Sequence, residues 1–204
     1  MSHAEPKHPP TTSVTLLGRL RDPTDASAWR EFDSRYREMI VGFLRRRGLQ
    51  VADAEDCAQA TILGLVRGLR GFEYDAQRAG FRAYLFRCVR SVLADWFSRH
   101  RRGSGPVAAN GRELPSEQHL FESFEREWID HHYRLATRRY RERSDPRAIA
   151  ILEATLEGKS ARLLAEALGM TKPALLKAQQ RLRDCLRELI AEQLRDEDLR
   201  HGPQ

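Results

Sequence analysis

The sequence has few cysteines and almost no β-strand signal. Its cysteines, Cys57, Cys88 and Cys185, are isolated and odd in number, and no Cys-x-x-Cys spacing occurs. This pattern argues against a disulfide framework and against a structural zinc site. The longest apolar run, residues 62–66, is far shorter than the roughly 20 residues that a membrane-spanning helix requires.

The first twelve residues lack the apolar core of a secretory signal peptide. They are polar and contain proline, so we expect residues 1–12 to be disordered. These features together predict a cytoplasmic protein that does not insert into a membrane. No segment gathers the acids and histidines that would hold a divalent metal, so we expect no metal and no other cofactor.

Lysine is scarce, because 31 of the 35 basic side chains are arginine. The net charge is nevertheless +6. Arginine carries a planar fork of donors that suits phosphate groups and base edges. The charge and this bias together favour a polyanionic partner.

Helical periodicity runs through most of the chain. In the first predicted helix apolar residues recur at steps of three and four after the capping Asp25, and basic residues followed by Gly48 end it. Asp53 is predicted to cap the second helix. A loop over residues 71–80 precedes a third helix that begins at Phe81, whose apolar stripe is two residues wide. Such a stripe predicts a helix at the centre of a bundle.

Residues 103–118 lack periodicity and contain many turn residues, so we predict a flexible linker there. The expected fold is all-α: two small helical domains, residues 13–102 and 119–197, with a tail over 198–204. Three further helices are predicted at the end of the second domain, over about 146–157, 160–168 and 171–195.

The segment 161–180 fits a helix-turn-helix template. Ala165 provides a small residue where the helices cross, and Gly169 provides the turn, where a positive φ suits glycine. Thr171 is predicted to cap the second helix. In such motifs the start of the second helix enters the major groove of DNA. The residues expected to contact DNA are Thr171, Lys172, Leu176, Lys177, Gln180 and Arg181.

Four segments of the first domain, 53–59, 72–75, 81–85 and 90–95, resemble conserved region 2 of bacterial sigma factors. The resemblance is greatest to the extracytoplasmic-function (ECF) type, which has only regions 2 and 4. The helix-turn-helix segment falls where region 4 of that family lies. The resemblance implies RNA polymerase core, through its β′ and β subunits, and promoter DNA as partners, and it leaves an anti-sigma protein open as a further partner.

The resemblance also assigns roles to residues of the first domain. Asp56 and Gln59, with Asp53 beside them, match the helix that docks on the polymerase β′ subunit. The loop and helix that follow match the part that opens the promoter minus-ten element. The residues expected to act there are Arg82, Tyr84, Arg87, Arg90 and Ser91. The family often has Trp at the position of Tyr84 and Asn at that of Ser91, and core packing is the alternative role for Tyr84.

The function implied is therefore that of an ECF-type sigma factor, which is not an enzyme. It would bind core polymerase, recognise the minus-thirty-five and minus-ten elements, and assist promoter melting. A helix-turn-helix regulator that acts without core polymerase is the alternative. A nucleic-acid enzyme is disfavoured, because no cluster of acids and histidines would hold a catalytic metal.

Overall fold

A computed structural model describes residues 16–69, 81–103 and 115–196. These residues form eight helices and no strand. Their bounds are α1 Leu16–Arg19, α2 Ala26–Arg46, α3 Val51–Leu69, α4 Phe81–Gly103, α5 Glu117–Arg143, α6 Pro146–Leu156, α7 Ala161–Ala167 and α8 Lys172–Asp196. The predicted all-α fold is confirmed for this part of the chain.

The helix ends follow local chemistry. Asp25 caps α2 by accepting a hydrogen bond from the Ala28 amide at 2.9 Å. The helix ends at Arg46, and Gly48, two residues later, has a φ of 89°. The prediction that Asp53 caps α3 is wrong, since α3 begins at Val51 and Asp53 lies in its first turn. A carboxylate in that turn still interacts favourably with the positive end of the helix dipole.

The described residues divide into two compact units, one up to Pro115 and the other from Ser116 to Arg195. In the first unit α2 packs on α3 and α3 packs on α4, with α1 beside α2. An aromatic cluster joins the start of α4 to α2: the ring centroid of Phe81 lies 5.9 Å from that of Phe32 and 5.7 Å from that of Tyr36. This packing places the start of α4 against α2.

One buried cluster of the second unit consists of small and aliphatic side chains. Ala136 of α5 meets residues from α6, α7 and α8 there, and Leu152 and Leu175 are fully buried. Apolar residues of the segment 161–180 contribute to this core, either buried or packed against it: Leu164, Ala165, Leu168, Met170, Leu175 and Ala178.

The end of α4 and the start of α5 lie inside the segment 103–118 that was predicted as a linker. Gly103 is the last residue of α4, and Glu117 is the first residue of α5. The rest of that prediction, over 104–114, lies outside the described residues, as do the predicted disordered N-terminus, the loop at 71–80 and the tail.

Candidate functional site

The candidate site on α3 is the exposed face of its first half. Asp56 and Gln59, one turn apart, are both exposed, and Asp53 is half-buried. The opposite face of α3 holds Cys57, Ala58 and Ile62 in the core. The periodicity of α3 therefore sorts its residues into an inner apolar face and an outer polar face.

The side chain of Gln59 accepts a hydrogen bond from Arg37 of α2. Arg37 Nη2 donates to Gln59 Oε1 at 2.6 Å, and Arg37 Nη1 donates to Glu55 Oε2 at 3.1 Å. The same guanidinium pairs with Asp33, four residues earlier on α2. The hydrogen bond with Asp33, followed by that with Glu55, raises the pKa of Arg37 against the opposing effect of burial.

Arg37 is not among the residues predicted from the sequence to belong to a site. The spacing of Asp33 and Arg37 was a signal for an ion pair within α2. The partners on α3 lie 18 and 22 residues away along the chain, so only the packing of the two helices reveals them.

The candidate site on α4 contains exposed and half-buried positions. Arg82, Arg87 and Ser91 are exposed, and Arg87 and Ser91 are one turn apart. Arg90 is half-buried. The guanidinium carbon of Arg87 lies 5.7 Å from the centroid of the Tyr84 ring. Three arginines over the first three turns make this stretch of α4 basic.

Tyr84 is half-buried and faces α3. Its hydroxyl lies so close to Gly68 that a Cβ atom at that position would overlap it. Burial, together with the neighbouring Cys88 thiol, raises the pKa of Tyr84 to about 12. This position gives Tyr84 a packing role between α3 and α4.

The candidate site on α8 is formed by a helix pair joined by a glycine turn. Gly169, with a φ of 59°, follows α7 and lets the Met170 amide donate to the Ala165 carbonyl at 2.8 Å. This is the hydrogen-bond pattern of a Schellman C-cap. Thr171 then accepts from the Ala174 amide at 3.4 Å, in agreement with its predicted capping position.

The start of α8 presents its polar side chains to solvent. The residues predicted to contact DNA are all exposed there: Thr171, Lys172, Leu176, Lys177, Gln180 and Arg181. Gln180 is held in place, since its Nε2 donates to Asp184 at 2.9 Å and its Oε1 accepts from Arg183 at 2.8 Å. Lys172, Lys177 and Arg181 add positive charge to this exposed part of the helix.

Two further features bear on the chemistry of the chain. Within the described ranges, no group of His, Cys, Asp and Glu side chains is arranged to hold a metal ion. None of the described helices combines the length and the apolar character needed to span a membrane.

Residues 32–103, about a third of the chain, match the family model of sigma-70 region 2. No curated protein matches the sequence. The matched segment contains most of α2 and all of α3 and α4, and therefore both candidate sites of the first unit. The match supports a sigma factor, a non-enzymatic transcription initiation factor that binds RNA polymerase and takes part in promoter recognition.

Proposed function

We propose that this chain is an ECF-type sigma factor in which a region 4 follows region 2. The observation that carries the proposal is the order of two elements in one chain. A segment similar to sigma-70 region 2 comes first, and a separate compact unit with a glycine-turned helix pair follows it. Each element alone occurs in other classes of protein, whereas the two in this order suit a factor that reads a two-part promoter.

The proposed docking surface for core polymerase is the outer face of α3. Asp56 and Gln59 are exposed there, and Asp53 lies one turn before Asp56. The inner face of the same helix is packed into the core, so the docking residues are held on a rigid support. Contact with the β′ subunit of the core uses these three side chains, and the β subunit is the second proposed polymerase partner.

The proposed minus-ten surface lies on α4. Arg82 and Arg87 are exposed and attract phosphates, and Ser91 lies one turn after Arg87. Arg90 flanks them. Tyr84 contributes by holding α4 against α3, which orients the basic residues toward the melted strand.

The proposed minus-thirty-five surface is the start of α8. Lys172, Lys177 and Arg181 bind phosphates or guanine edges, and Gln180 presents a fixed amide suited to adenine. Thr171 and Leu176 border these contacts. Affinity for free DNA is modest and falls with salt, because either unit neutralises only a few phosphates.

The experiment that tests this function selects promoter fragments from a genomic library in solution, with and without bacterial core polymerase. Fragments that share a two-part element and are enriched only when both proteins are present support the proposal. Enrichment of a palindrome by the chain alone favours the alternative, a helix-turn-helix regulator that acts without core polymerase.

Localisation in the cytoplasm, with no membrane insertion, follows from the proposed partners. An anti-sigma protein is a further proposed partner, to be sought by co-purification.

A further inference from the structure

Arg37 connects α2 to the outer face of α3. Its Nε donates to Asp33 Oδ1 at 2.9 Å on its own helix, while its two terminal nitrogens reach Glu55 and Gln59. The last two residues are one turn apart on α3, so they lie side by side. A single guanidinium therefore fixes the position of two neighbouring side chains on the surface proposed for polymerase docking.

The chemistry of arginine determines which way the Gln59 amide points. A guanidinium has only donors, so the amide oxygen must face Arg37 and the NH₂ group must point away from it. Gln59 is exposed, and no residue in the described part of the chain accepts a hydrogen bond from its Nε2. The surface therefore presents two oriented N–H donors to whatever docks there.

Orientation before binding changes the affinity of such a contact. A free glutamine side chain loses rotamer freedom when a partner immobilises it, and that loss weakens binding. The bond to Arg37 restricts the side chain before the partner arrives. Lysine is a poor substitute, because it lacks the planar fork that contacts Asp33, Glu55 and Gln59 at the same time.

We propose that Arg37 is a positioning residue for polymerase docking, and that the polymerase surface opposite Gln59 offers a hydrogen-bond acceptor, either a carboxylate or a main-chain carbonyl. The inference rests on the proposed function, because it concerns the contact by which the chain would bind the core. Beyond the proposed function, the inference specifies the chemistry of the polymerase group opposite Gln59. It also assigns a role to Arg37, which lies on α2 and not on the docking face of α3.

Gln59→Glu tests the acceptor directly. The substituted carboxylate keeps the shape of the side chain and still accepts from Arg37, but it no longer donates. We expect the Kd of the full chain for core polymerase to rise by about tenfold or more, with an unchanged Tm. Fluorescence anisotropy of the labelled chain measures the Kd.

Gln50→Glu is the matched control, since it makes the same change at an exposed glutamine just before α3. It should leave the Kd within about twofold of the wild-type value. Unchanged or tighter binding by Gln59→Glu would overturn the proposal, because it would mean that the polymerase group opposite residue 59 does not need a donor.

Arg37→Lys tests the positioning role. The lysine keeps a positive charge beside Asp33, so the fold is expected to persist, but it releases Gln59. We expect the Kd to rise by about three- to tenfold in the wild-type background and to stay unchanged in a Gln59→Ala background. Equal effects in both backgrounds would show that Arg37 acts independently of Gln59, which would overturn the positioning role.

Failure of the proposed function gives a different pattern. In that case the wild-type chain and Gln50→Glu also fail to bind core polymerase, and the proposal is overturned together with the function. Wild-type binding combined with unimpaired binding by Gln59→Glu overturns the proposal alone.

Discussion

Gly68 lies against the hydroxyl of Tyr84. We expect the effect of Gly68→Ala on stability to change sign when this one oxygen atom is removed. An ideal Cβ at Gly68 would overlap the Tyr84 hydroxyl but would lie 3.4 Å from its Cζ, which is ordinary contact. Gly64, one turn earlier on the same helix, has no neighbour within 4 Å of such a Cβ. The two glycines therefore differ in their surroundings while sharing a helix.

The expected magnitudes follow from helix propensity and overpacking. Alanine is favoured over glycine in a helix by up to about 1 kcal/mol, so Gly64→Ala should stabilise the protein by that order. Gly68→Ala gains the same term and loses about 1–3 kcal/mol because Tyr84 must move. We expect Gly68→Ala to be less stable than Gly64→Ala by about 1–3 kcal/mol.

Tyr84→Phe should remove this difference. Without the hydroxyl, Gly68→Ala becomes neutral or stabilising relative to the Tyr84→Phe parent. Urea unfolding of the wild type, the three single variants and the double variant Gly68→Ala/Tyr84→Phe, followed by circular dichroism, measures the free energies of unfolding. An unchanged slope checks that the unfolding remains comparable. If Gly68→Ala is as stable as Gly64→Ala with Tyr84 present, the packing role of Tyr84 is refuted.

Three further predictions concern the other sites. Lys177→Ala should weaken promoter binding and reduce the salt slope by about 1, because one cationic contact is lost, whereas Gln180→Ala should change base preference. Filter binding on several sequences and at several salt concentrations separates the two effects. Gly169→Ala should lower the free energy of unfolding by about 1–3 kcal/mol in urea melts, because φ is positive there. The hydrogen bond from the Ala28 amide, followed by that from Arg19, lowers the pKa of Asp25 from its ordinary value of 3.8. Ionised Asp25 therefore stabilises the fold fully above this ordinary pKa, and the stabilisation is lost as the pH falls through the lowered pKa. Asp25→Ala should remove this pH dependence in melts between pH 2 and 5.

Much of the fold could be predicted from the sequence, because its helices carry strong local signals. Asp25 and Gly48 mark both ends of α2, and Gly169 marks the turn before α8. These features act within a few residues, so no tertiary knowledge is needed. The predicted start of α3 is wrong by three residues, since a cap at Asp53 would make residue 54 the first of the helix, whereas α3 begins at Val51.

Contacts between helices could not be predicted from the sequence. Arg37 and Gln59 are 22 residues apart along the chain, so their hydrogen bond could not be predicted from local sequence patterns. The same holds for the contact between Tyr84 and Gly68. Periodicity indicated that Tyr84 borders the core but could not distinguish packing from stacking on a base. The structure buries His131 and His132, and His132 Nδ1 lies 2.8 Å from Gln193 Oε1 on α8, a contact between residues 61 positions apart.

Run-off transcription tests the central claim most directly. Core polymerase is incubated with a promoter fragment obtained by the library selection, with the wild-type chain, with Gln59→Ala or with Lys177→Ala. We predict a defined transcript only when core and wild-type chain are both present, and a weaker one with either variant. A fragment bound by the chain but transcribed equally well without it would contradict the account.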